Sequence, residues 1–372
     1  MYKTGQPLLS PGQVVVGVDT HKYFHVAVVL NNIGGRLSSI VVSTDKAGFQ
    51  QLLDWATSFG TVFKFGIEGT SSYGKTLTSF LRNRGYQVIE AARPERRLRR
   101  GNGKTDAADA EAAARGILSG TASAIPKSHD GYVEMLRELK VAYSSAVKMR
   151  TQTFLRIDGL LVGAPEELRN KTLGLSNKQV AQVCAGLRPP VKLQTPQDAL
   201  KCALKTLGQL WLTLNKETNN LSKHISGLTQ QIAPQLLDLV GIGPDTAAEI
   251  LIVFGDNLER IKSEAAFAKL AGVAPIPTGS GLTAGKHRIN HGGYRQLNAA
   301  LYRAAITRLH YYQPSINYAA KRSTEGKTRK DIIRCIKRYI ARDIWKTLHP
   351  HQPTTQPQPQ TPTTPKTPQK TT

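Results

Sequence analysis

The sequence predicts an α/β N-terminal domain followed by mainly helical regions, an α/β plus α class, and three observations support it. Three strand-like segments, then alternating helix and strand segments, fill roughly the first hundred residues. Beyond residue 132, apolar residues recur at helical spacing through much of the chain. The chain has 372 residues, more than one hydrophobic core usually organises, so at least two domains are expected.

The N-terminal elements follow from apolar patterning and turn residues. Residues 14–20 form a nearly continuous apolar run, typical of a buried central strand, and residues 62–68 repeat this design before a glycine-containing turn. Further strands are predicted at residues 24–30, 37–43 and 86–91, and helices at residues 46–59 and 72–84. Another helix is expected to start after Thr105, which would be its N-cap.

Four carboxylates occupy positions where this order of elements can bring them together. Asp19 ends the first strand and Glu68 ends a second apolar strand, while Asp106 and Asp109 share one face of the helix after Thr105. Mg²⁺ takes oxygen ligands, so the four acids predict a Mg²⁺ site suited to phosphodiester chemistry. Singly, each acid has another explanation: an Asx turn, an exposed loop acid, or first-turn acids favoured by the helix dipole.

The middle of the chain is predicted to be helical. Apolar residues recur at near-heptad intervals over residues 132–161 and 196–232, with a break at residues 189–196. Two interpretations stay open: arms that dimerise or grip nucleic acid, and an ordinary intramolecular bundle. Residues 350–372 are rich in Pro, Thr and Gln, so a disordered tail is expected there.

The charge of the chain indicates a nucleic-acid partner. Lys and Arg number 50 against 26 Asp and Glu, giving a formal net charge of +24 and a pI near 10.0. Three cysteines without CxxC spacing suggest neither a zinc site nor a disulfide framework. With no membrane-length apolar stretch and no signal-peptide pattern, a cytoplasmic, nucleoid-associated protein is expected.

Three segments are candidates for phosphate binding. Each segment has another interpretation that stays open. It is a solvated basic loop for the first, a tight turn between packed helices for the second, and a solvated helix face for the third. The last segment is a basic amphipathic helix at residues 327–346, whose predicted packed side includes Tyr339. The candidates are Arg93, Arg96, Arg97, Arg99, Arg100 and Lys104 before the acidic helix, Gly241 and Gly243 in a helix-hairpin-helix pattern at residues 236–251, and Lys337 and Arg338 in the basic helix.

Several segments along the chain resemble segments of a known protein family. The segments 17–22 (GVDTHK), 66–73 (GIEGTSSY) and 104–110 (KTDAADA) resemble the RuvC-like domain of the DEDD transposases of bacterial insertion sequences. The segments 239–244, 267–275 and 280–281 resemble the C-terminal transposase domain of the same family, and the resemblance extends to about residue 348. The family is related to the Piv-type DNA invertase and is guided by a bridge RNA.

The resemblance implies a domain organisation and an activity. It implies an RNase H-like (RuvC-like) domain at residues 1–125, a helical or coiled-coil region at 126–232, and a mainly helical transposase domain at 233–349. The implied enzyme holds Mg²⁺ through the four acids and recombines double-stranded donor and target DNA. A noncoding guide RNA and a homo-oligomer, dimer or tetramer, with composite sites are further implications.

Ser280 is the candidate nucleophile of this enzyme. A serine in a glycine-containing loop is usually a turn former, so the local sequence alone is a weak signal. The resemblance assigns the nucleophilic serine to Ser280, with Thr278 and Thr283 as neighbouring alternatives. Four residues that follow are candidates to neutralise phosphate oxygens: Lys286, His287, Arg288 and Arg295.

The predicted function is therefore cutting and rejoining of DNA through a transient phosphoserine. Two other classes stay open. A metal-dependent junction resolvase would need the acids but not Ser280, and a non-catalytic DNA-binding protein would need neither.

Overall fold

The computed structural model describes residues 9–91, 105–281, 285 and 287–350. Within these ranges the chain forms a five-stranded sheet with helices, a pair of long helices, and a mainly helical C-terminal region. This arrangement agrees with the predicted α/β plus α class. No helix in the described ranges is both long enough and apolar enough to cross a membrane.

The N-terminal sheet has five strands, which lie in the order β3 (Arg36–Ser43), β2 (Phe24–Asn31), β1 (Gln13–Thr20), β4 (Thr61–Glu68) and β5 (Val88–Ala91). Strand β2 is antiparallel to β1 and β3, whereas β4 is parallel to both β1 and β5. All five predicted strands are confirmed, although the last begins at residue 88 rather than 86.

Helices cover both faces of this sheet. Helices α1 (Lys46–Thr57) and α2 (Lys75–Arg82) lie on one face, and α3 (Asp106–Leu118) lies on the other. Side chains of a strand alternate between faces. Accordingly, Val16 packs in the core of α1 and α2, while Val15 packs in the core of α3. Strand β1 is therefore buried on both faces, as its continuous apolar run predicts.

Two long helices form an arm in the middle of the chain. They are α4 (Tyr132–Val162) and α7 (Pro196–Ile232), with α5 (Glu166–Thr172) and α6 (Asn177–Ala185) between them. The break predicted before residue 196 is confirmed, because Thr195 and Asp198 form a capping box at the start of α7.

The two long helices pack against each other within one chain. Arg150 donates a hydrogen bond to Asn215 over 2.9 Å, and the rings of Phe154 and Trp211 lie 6.2 Å apart in an edge arrangement. Residue numbers that increase along α4 therefore pair with residue numbers that decrease along α7, so the two helices are antiparallel. Their apolar periodicity is used at least in part for this intramolecular pair.

The C-terminal region is a helical cluster with one small hairpin. The core combines the helices Pro244–Phe254, Arg295–Tyr311 and Arg329–Leu348, and the first turns of α4 contribute Val133 and Leu136 to it. The elements are α8 (Pro234–Leu237), α9 (Pro244–Phe254), a 3₁₀ turn (Leu258–Arg260), α10 (Glu264–Leu270), β6 (Ile276–Pro277), β7 (His287–Arg288), α11 (Arg295–Tyr311), α12 (Gln313–Thr324) and α13 (Arg329–Leu348).

A buried charged network joins the sheet domain to the arm. Glu134 in α4 accepts hydrogen bonds from Lys75 of α2 (2.6 Å) and from Arg137 (2.6 and 2.8 Å). Its other carboxylate oxygen lies 2.8 Å from Nδ1 of His129, whose Nε2 lies 3.0 Å from Ser71 Oγ. The turn that follows Glu68 is thereby tied to the start of the arm.

Candidate active site

Two of the four predicted acids extend from the same edge of the sheet. The parallel pairing of β1 and β4 places Gly17 opposite Gly66 and Val18 opposite Ile67. The next residues on the two strands are Asp19 and Glu68, so their positions are level, as predicted. The hydroxyl of Thr20 donates a hydrogen bond to the main-chain oxygen of Glu68 over 2.8 Å, which holds the two strand ends together.

The other two acids lie in the first turn of α3. Thr105 has an extended backbone, and its hydroxyl accepts a hydrogen bond from the Ala108 amide, so the predicted N-cap is confirmed. The helix then begins at Asp106, with Asp109 in the same turn. The positive end of the helix dipole stabilises both carboxylates.

His21 lies between an acid of the sheet, Asp19, and an acid of helix α3, Asp106. Its Nε2 is 3.2 Å from Asp19 Oδ2 and 3.3 Å from Asp106 Oδ2. One ligand atom from each of the three residues falls within 4.8 Å of the others. His21 was not among the predicted metal ligands, although it follows Asp19 by two positions in the segment GVDTHK of residues 17–22.

The neighbours of His21 fix its orientation. Its ring stacks on Phe24 with centroids 4.7 Å apart, and its amide donates to the Phe24 main-chain oxygen over 3.1 Å. The same amide lies 3.4 Å from Nδ1 of His25. Burial lowers the pKa of His25 to about 4, so that ring is neutral near pH 7 and its Nδ1 is available as an acceptor.

The other three predicted acids all act electrostatically on Asp19. Burial raises the pKa of Asp19, the positive potential of His21 lowers it, and the charges of Glu68, Asp109 and Asp106 raise it further. Three separate segments thus bring acidic charge to the surroundings of Asp19. Such a cluster of like charges is stabilised when a cation is shared among its members.

The donors of this cluster fit a hard divalent cation. Carboxylate oxygens suit Mg²⁺ and Mn²⁺, and an imidazole nitrogen also suits several later transition metals. Asp19 is largely buried, with 12% of its side chain exposed, whereas Asp106 is 45% exposed. One side of the cluster is thus held by the sheet while the other faces solvent, where a substrate phosphate can approach.

Ser280 lies in the C-terminal region, in the connection between β6 and β7. These strands pair antiparallel, with Ile276 opposite Arg288 and Pro277 opposite His287. Ser280 is exposed, as is Thr278, and Gly281 has a left-handed φ of 55°. Thr283 and Lys286 lie outside the described residues, while Arg288 and Arg295 are exposed. The acids and the serine therefore lie in different regions of the chain, the N-terminal sheet region and the helical C-terminal region.

The two glycines of the predicted helix-hairpin-helix have different surroundings. Gly241 has a φ of 85°, and a Cβ there would lie 2.8 Å from the main-chain oxygen of Ala304, so this residue permits close packing on α11. Gly243 precedes α9, and no atom lies within 4 Å of its Cβ position. The preceding helix α8 has four residues. The backbone of Gly243, at the uncovered N-terminal end of α9, stays a predicted phosphate contact.

Two predicted phosphate-binding residues of α13 have partners within the protein. Lys337 donates a hydrogen bond to Asn298 over 2.9 Å. Burial lowers the pKa of Lys337, and the positive charge of the nearby Arg334 lowers it further. Arg338 forms an ion pair with Glu264. The solvent side of α13 is basic as predicted, but Tyr339 is 44% exposed rather than packed in the core.

The remaining predicted basic residues lie outside the described residues. They are Arg93, Arg96, Arg97, Arg99, Arg100 and Lys104.

Comparison with known proteins defines the class of this chain. A family model described as a transposase, of the DEDD type named for IS110, matches residues 16–164. A second model, described as the transposase IS116/IS110/IS902 family, matches residues 233–320. The first match contains the acidic cluster and the second contains Ser280. The chain is thus a DNA transposase, an enzyme that recombines DNA.

Proteins of other insertion elements are similar over nearly their whole length. The insertion element IS900 42 kDa protein of Mycobacterium paratuberculosis is 25% identical, with 91% of this chain and 96% of that protein covered. The insertion element IS116 44.8 kDa protein of Streptomyces clavuligerus is 24% identical, with coverage of 90% and 94%. Together with the two family models, these similarities place the chain in the IS116/IS110/IS902 family of insertion-sequence transposases.

Proposed function

We propose that this transposase cuts and rejoins DNA through Ser280, assisted by a divalent metal site formed by Asp19, Glu68, Asp106 and Asp109. The observation that carries the proposal is the convergence of Asp19, His21 and Asp106, whose ligand atoms lie within 4.8 Å of one another. Glu68 follows the strand position level with Val18, and Asp109 shares the first helical turn with Asp106. Three separate chain segments converge there on the edge of a sheet, which is how metal sites for phosphate chemistry are built. Mg²⁺ is the proposed ion because the acids supply oxygen ligands.

The N-terminal domain is proposed to be RNase H-like. The strand order β3-β2-β1-β4-β5, with β2 antiparallel to its neighbours, supports this assignment. So does the sequence of elements, three strands followed by alternating helices and strands. In such a fold the acids at the ends of β1 and β4 would face those at the start of α3.

The chemistry assigned to Ser280 conserves the energy of the phosphodiester. Its oxygen forms a bond to phosphorus, and the bond from phosphorus to one deoxyribose oxygen breaks. The serine proton passes to a base, and the leaving oxygen takes up a proton to become a hydroxyl. Attack by the hydroxyl of another strand then reverses the step and releases the serine. Rejoining therefore needs no external energy source.

The acids would act by binding a divalent ion and by surrounding it with negative charge. A bound divalent ion supplies Lewis-acid stabilisation of charge on the phosphate. Asp19, with 12% of its side chain exposed, would hold the ion from the side of the sheet, and the more exposed Asp106 would hold it from the side open to a substrate phosphate. His21 bridges these two carboxylates and would add either a ligand nitrogen or a hydrogen-bond donor.

The partners are proposed from charge and from family resemblance. The net charge of +24 supports extensive contact with phosphates of donor and target DNA. A noncoding bridge RNA that selects both DNAs, and a homo-oligomer with composite sites, rest on the resemblance. Placement of the acids and Ser280 in different domains is compatible with sites assembled from two copies of the chain.

A reconstituted recombination assay tests this proposal. Purified protein is mixed with donor and target plasmids and RNA transcribed from the noncoding flanks of its element, with Mg²⁺ or with EDTA. We expect precise donor–target junctions by sequencing only when metal, RNA and protein are all present. Nicked plasmids without joined junctions would favour the metal-only resolvase, and binding without strand breakage would favour a non-catalytic protein.

A further inference from the structure

A large recess lies beside the hairpin that carries Ser280. It has a volume of about 1070 Å³ and lies between the loop after α10, strand β7, the start of α11, and helix α13. This volume exceeds that of an ordinary small-molecule cleft, which is roughly 300–1,000 Å³. The recess therefore has room for more than one nucleotide.

Tyrosines line this recess with their rings accessible. Tyr294, Tyr302 and Tyr339 all border it and are 45%, 48% and 44% exposed. Tyr318 supports Tyr339 through an edge contact, with centroids 5.4 Å apart. Exposed aromatic side chains gathered in one concave place indicate a binding surface. Aromatic faces of this kind stack on flat ligands.

The rest of the recess lining is strongly basic. Among its described residues, Asp331 is the one acid, and it is 2.6 Å from the guanidinium of Arg334, which balances its charge. The guanidinium of Arg342 lies 5.7 Å from the ring centre of Tyr339, so a cation and a stacking surface occur side by side. Arg322 and Arg342 also have acidic partners, Glu325 and, at 3.7 Å, Glu264. The cations of the lining that are assigned to phosphate here are therefore Arg288, Arg295 and Lys327.

The floor of the recess is held by hydrogen bonds. Asn298 donates to the main-chain oxygens of Ala271 (2.8 Å) and Gly272 (3.3 Å), and its own oxygen accepts from Lys337. Lys337 therefore fastens the loop after α10 to α13. The tyrosines consequently stand on a fixed frame, which reduces the entropy lost when a ligand stacks on them.

We propose that this recess binds an unpaired nucleic-acid strand, with bases stacked on Tyr302 and Tyr339 and phosphates paired with the surrounding arginines. Aromatic platforms beside cations are the general means of holding single strands, because every unpaired base has a free face. A duplex hides those faces within its own stack. The inference rests on the proposed function, and it adds that the strand presented near Ser280 is unpaired.

The position of the recess gives the bound strand a route to the nucleophile. Arg288 lines the recess and pairs across the hairpin with Ile276, and Ser280 lies in the connection between their strands. A strand on the tyrosines would thus continue along the hairpin toward the serine. Binding in the recess would position an unpaired strand for cutting or for rejoining.

Binding of short oligonucleotides tests the inference. The probes are a fluorescein-labelled dT12 strand, an RNA U12 strand and a 12-base-pair duplex, measured by anisotropy in EDTA with full-length Ser280→Ala protein. We compare two further variants, Tyr302→Ala and Tyr339→Ala, each made in the Ser280→Ala protein, with that parent protein. Each change is expected to weaken binding of the unpaired strands about tenfold and leave duplex affinity within twofold, because stacking is lost and charge is kept.

Two controls separate stacking from folding. The Tyr302→Phe and Tyr339→Phe proteins keep the ring and are expected to bind as tightly as the parent. Tyr311→Ala removes an exposed tyrosine that is not part of the recess and should change nothing. Unchanged single-strand binding in both alanine proteins, or equal losses for strands and duplex, would overturn the proposal. Because the assay contains no metal and no nucleophile, its result is independent of the serine mechanism.

Discussion

Gly17 and Gly66 lie opposite each other on neighbouring parallel strands, and both face the backbone of helix α3. A Cβ on Gly17 would fall 1.9 Å from the main-chain oxygen of Ala110, and a Cβ on Gly66 would fall 2.9 Å from that of Ala113. The helix can approach the sheet this closely because both strands lack side chains there. Asp19 and Glu68 follow two residues after these glycines, so the same contact brings the acids of α3 to those of the sheet.

The first prediction concerns this contact. Gly17→Ala should force α3 away from β1, lower the free energy of unfolding by about 1–3 kcal/mol, and abolish the stabilisation by Mn²⁺ or Mg²⁺. Gly159→Ala is the matched control, since no atom lies within 4 Å of its Cβ position in α4. Thermal unfolding with and without metal measures both effects. A Gly17→Ala protein with normal stability and a normal metal response would show that helix approach does not form the site.

The second prediction concerns the acids themselves. Asp106→Asn keeps the shape of the side chain but removes one charge, so metal affinity should fall at least tenfold while the metal-free protein unfolds at an equal or higher temperature. Less repulsion within the cluster explains the second effect. Asp158→Asn, an exposed residue of α4, is the control. Calorimetric titration with Mn²⁺ gives the affinities, and an unchanged value for Asp106→Asn would remove this residue from the metal site.

The third prediction concerns the pH dependence conferred by Glu134. Burial alone would raise the pKa of Glu134, but hydrogen bonds from Arg137, His129 and Lys75 outweigh it and hold the pKa well below the ordinary 4.5. A lowered folded-state pKa gives stability that is present above the unfolded pKa and is lost as pH falls below about 4.5. Glu134→Gln should therefore cost about 3 kcal/mol near pH 7.

Urea unfolding at several pH values measures this effect. The difference between the wild type and Glu134→Gln should shrink as the pH is lowered from 6 toward 3. Glu138→Gln, at a more exposed neighbour, is the control. A difference that stays constant over this range would mean that the carboxylate charge of Glu134 does not stabilise the fold.

The fourth prediction separates basic residues that contact phosphate from those that support the fold. Arg295→Gln, at an exposed recess residue, should reduce the slope of log affinity against log salt by about one unit. Arg338→Gln should leave the slope unchanged and lower stability, because Arg338 is paired with Glu264. Filter binding of DNA at a series of salt concentrations, with thermal unfolding alongside, provides the data. The reverse pattern would assign the phosphate contact to Arg338.

Local patterns in the sequence were sufficient to predict the elements of the sheet domain. The apolar run of β1 and the capping residue Thr105 act over a few positions, and both elements formed where expected. Asp19 and Glu68 were predicted to be level because parallel strands share an edge. These predictions succeeded because each depends on alternation, capping or strand direction, which are properties of short segments.

Features that depend on contacts between distant segments could not be predicted in the same way. His21 bridges acids that are far apart in the sequence, so its role needs the packing of α3 on the sheet. The partners of Lys337 and Arg338, Asn298 and Glu264, come from other helices, and helical periodicity alone cannot distinguish a paired cation from a solvated one. The recess beside Ser280 likewise arises only where β7, α11 and α13 meet.

The serine mechanism is tested most directly by trapping the covalent intermediate. DNA with a nick beside the cleavage site loses its leaving fragment, so rejoining is blocked and a phosphoserine adduct accumulates. We expect wild-type protein with Mg²⁺ to form an adduct that survives denaturing electrophoresis, and peptide mapping to place the nucleotide on Ser280. Thr278→Ala should form the same adduct, and Ser280→Ala should bind DNA without forming any. Cleavage by Ser280→Ala at the wild-type rate would contradict the account.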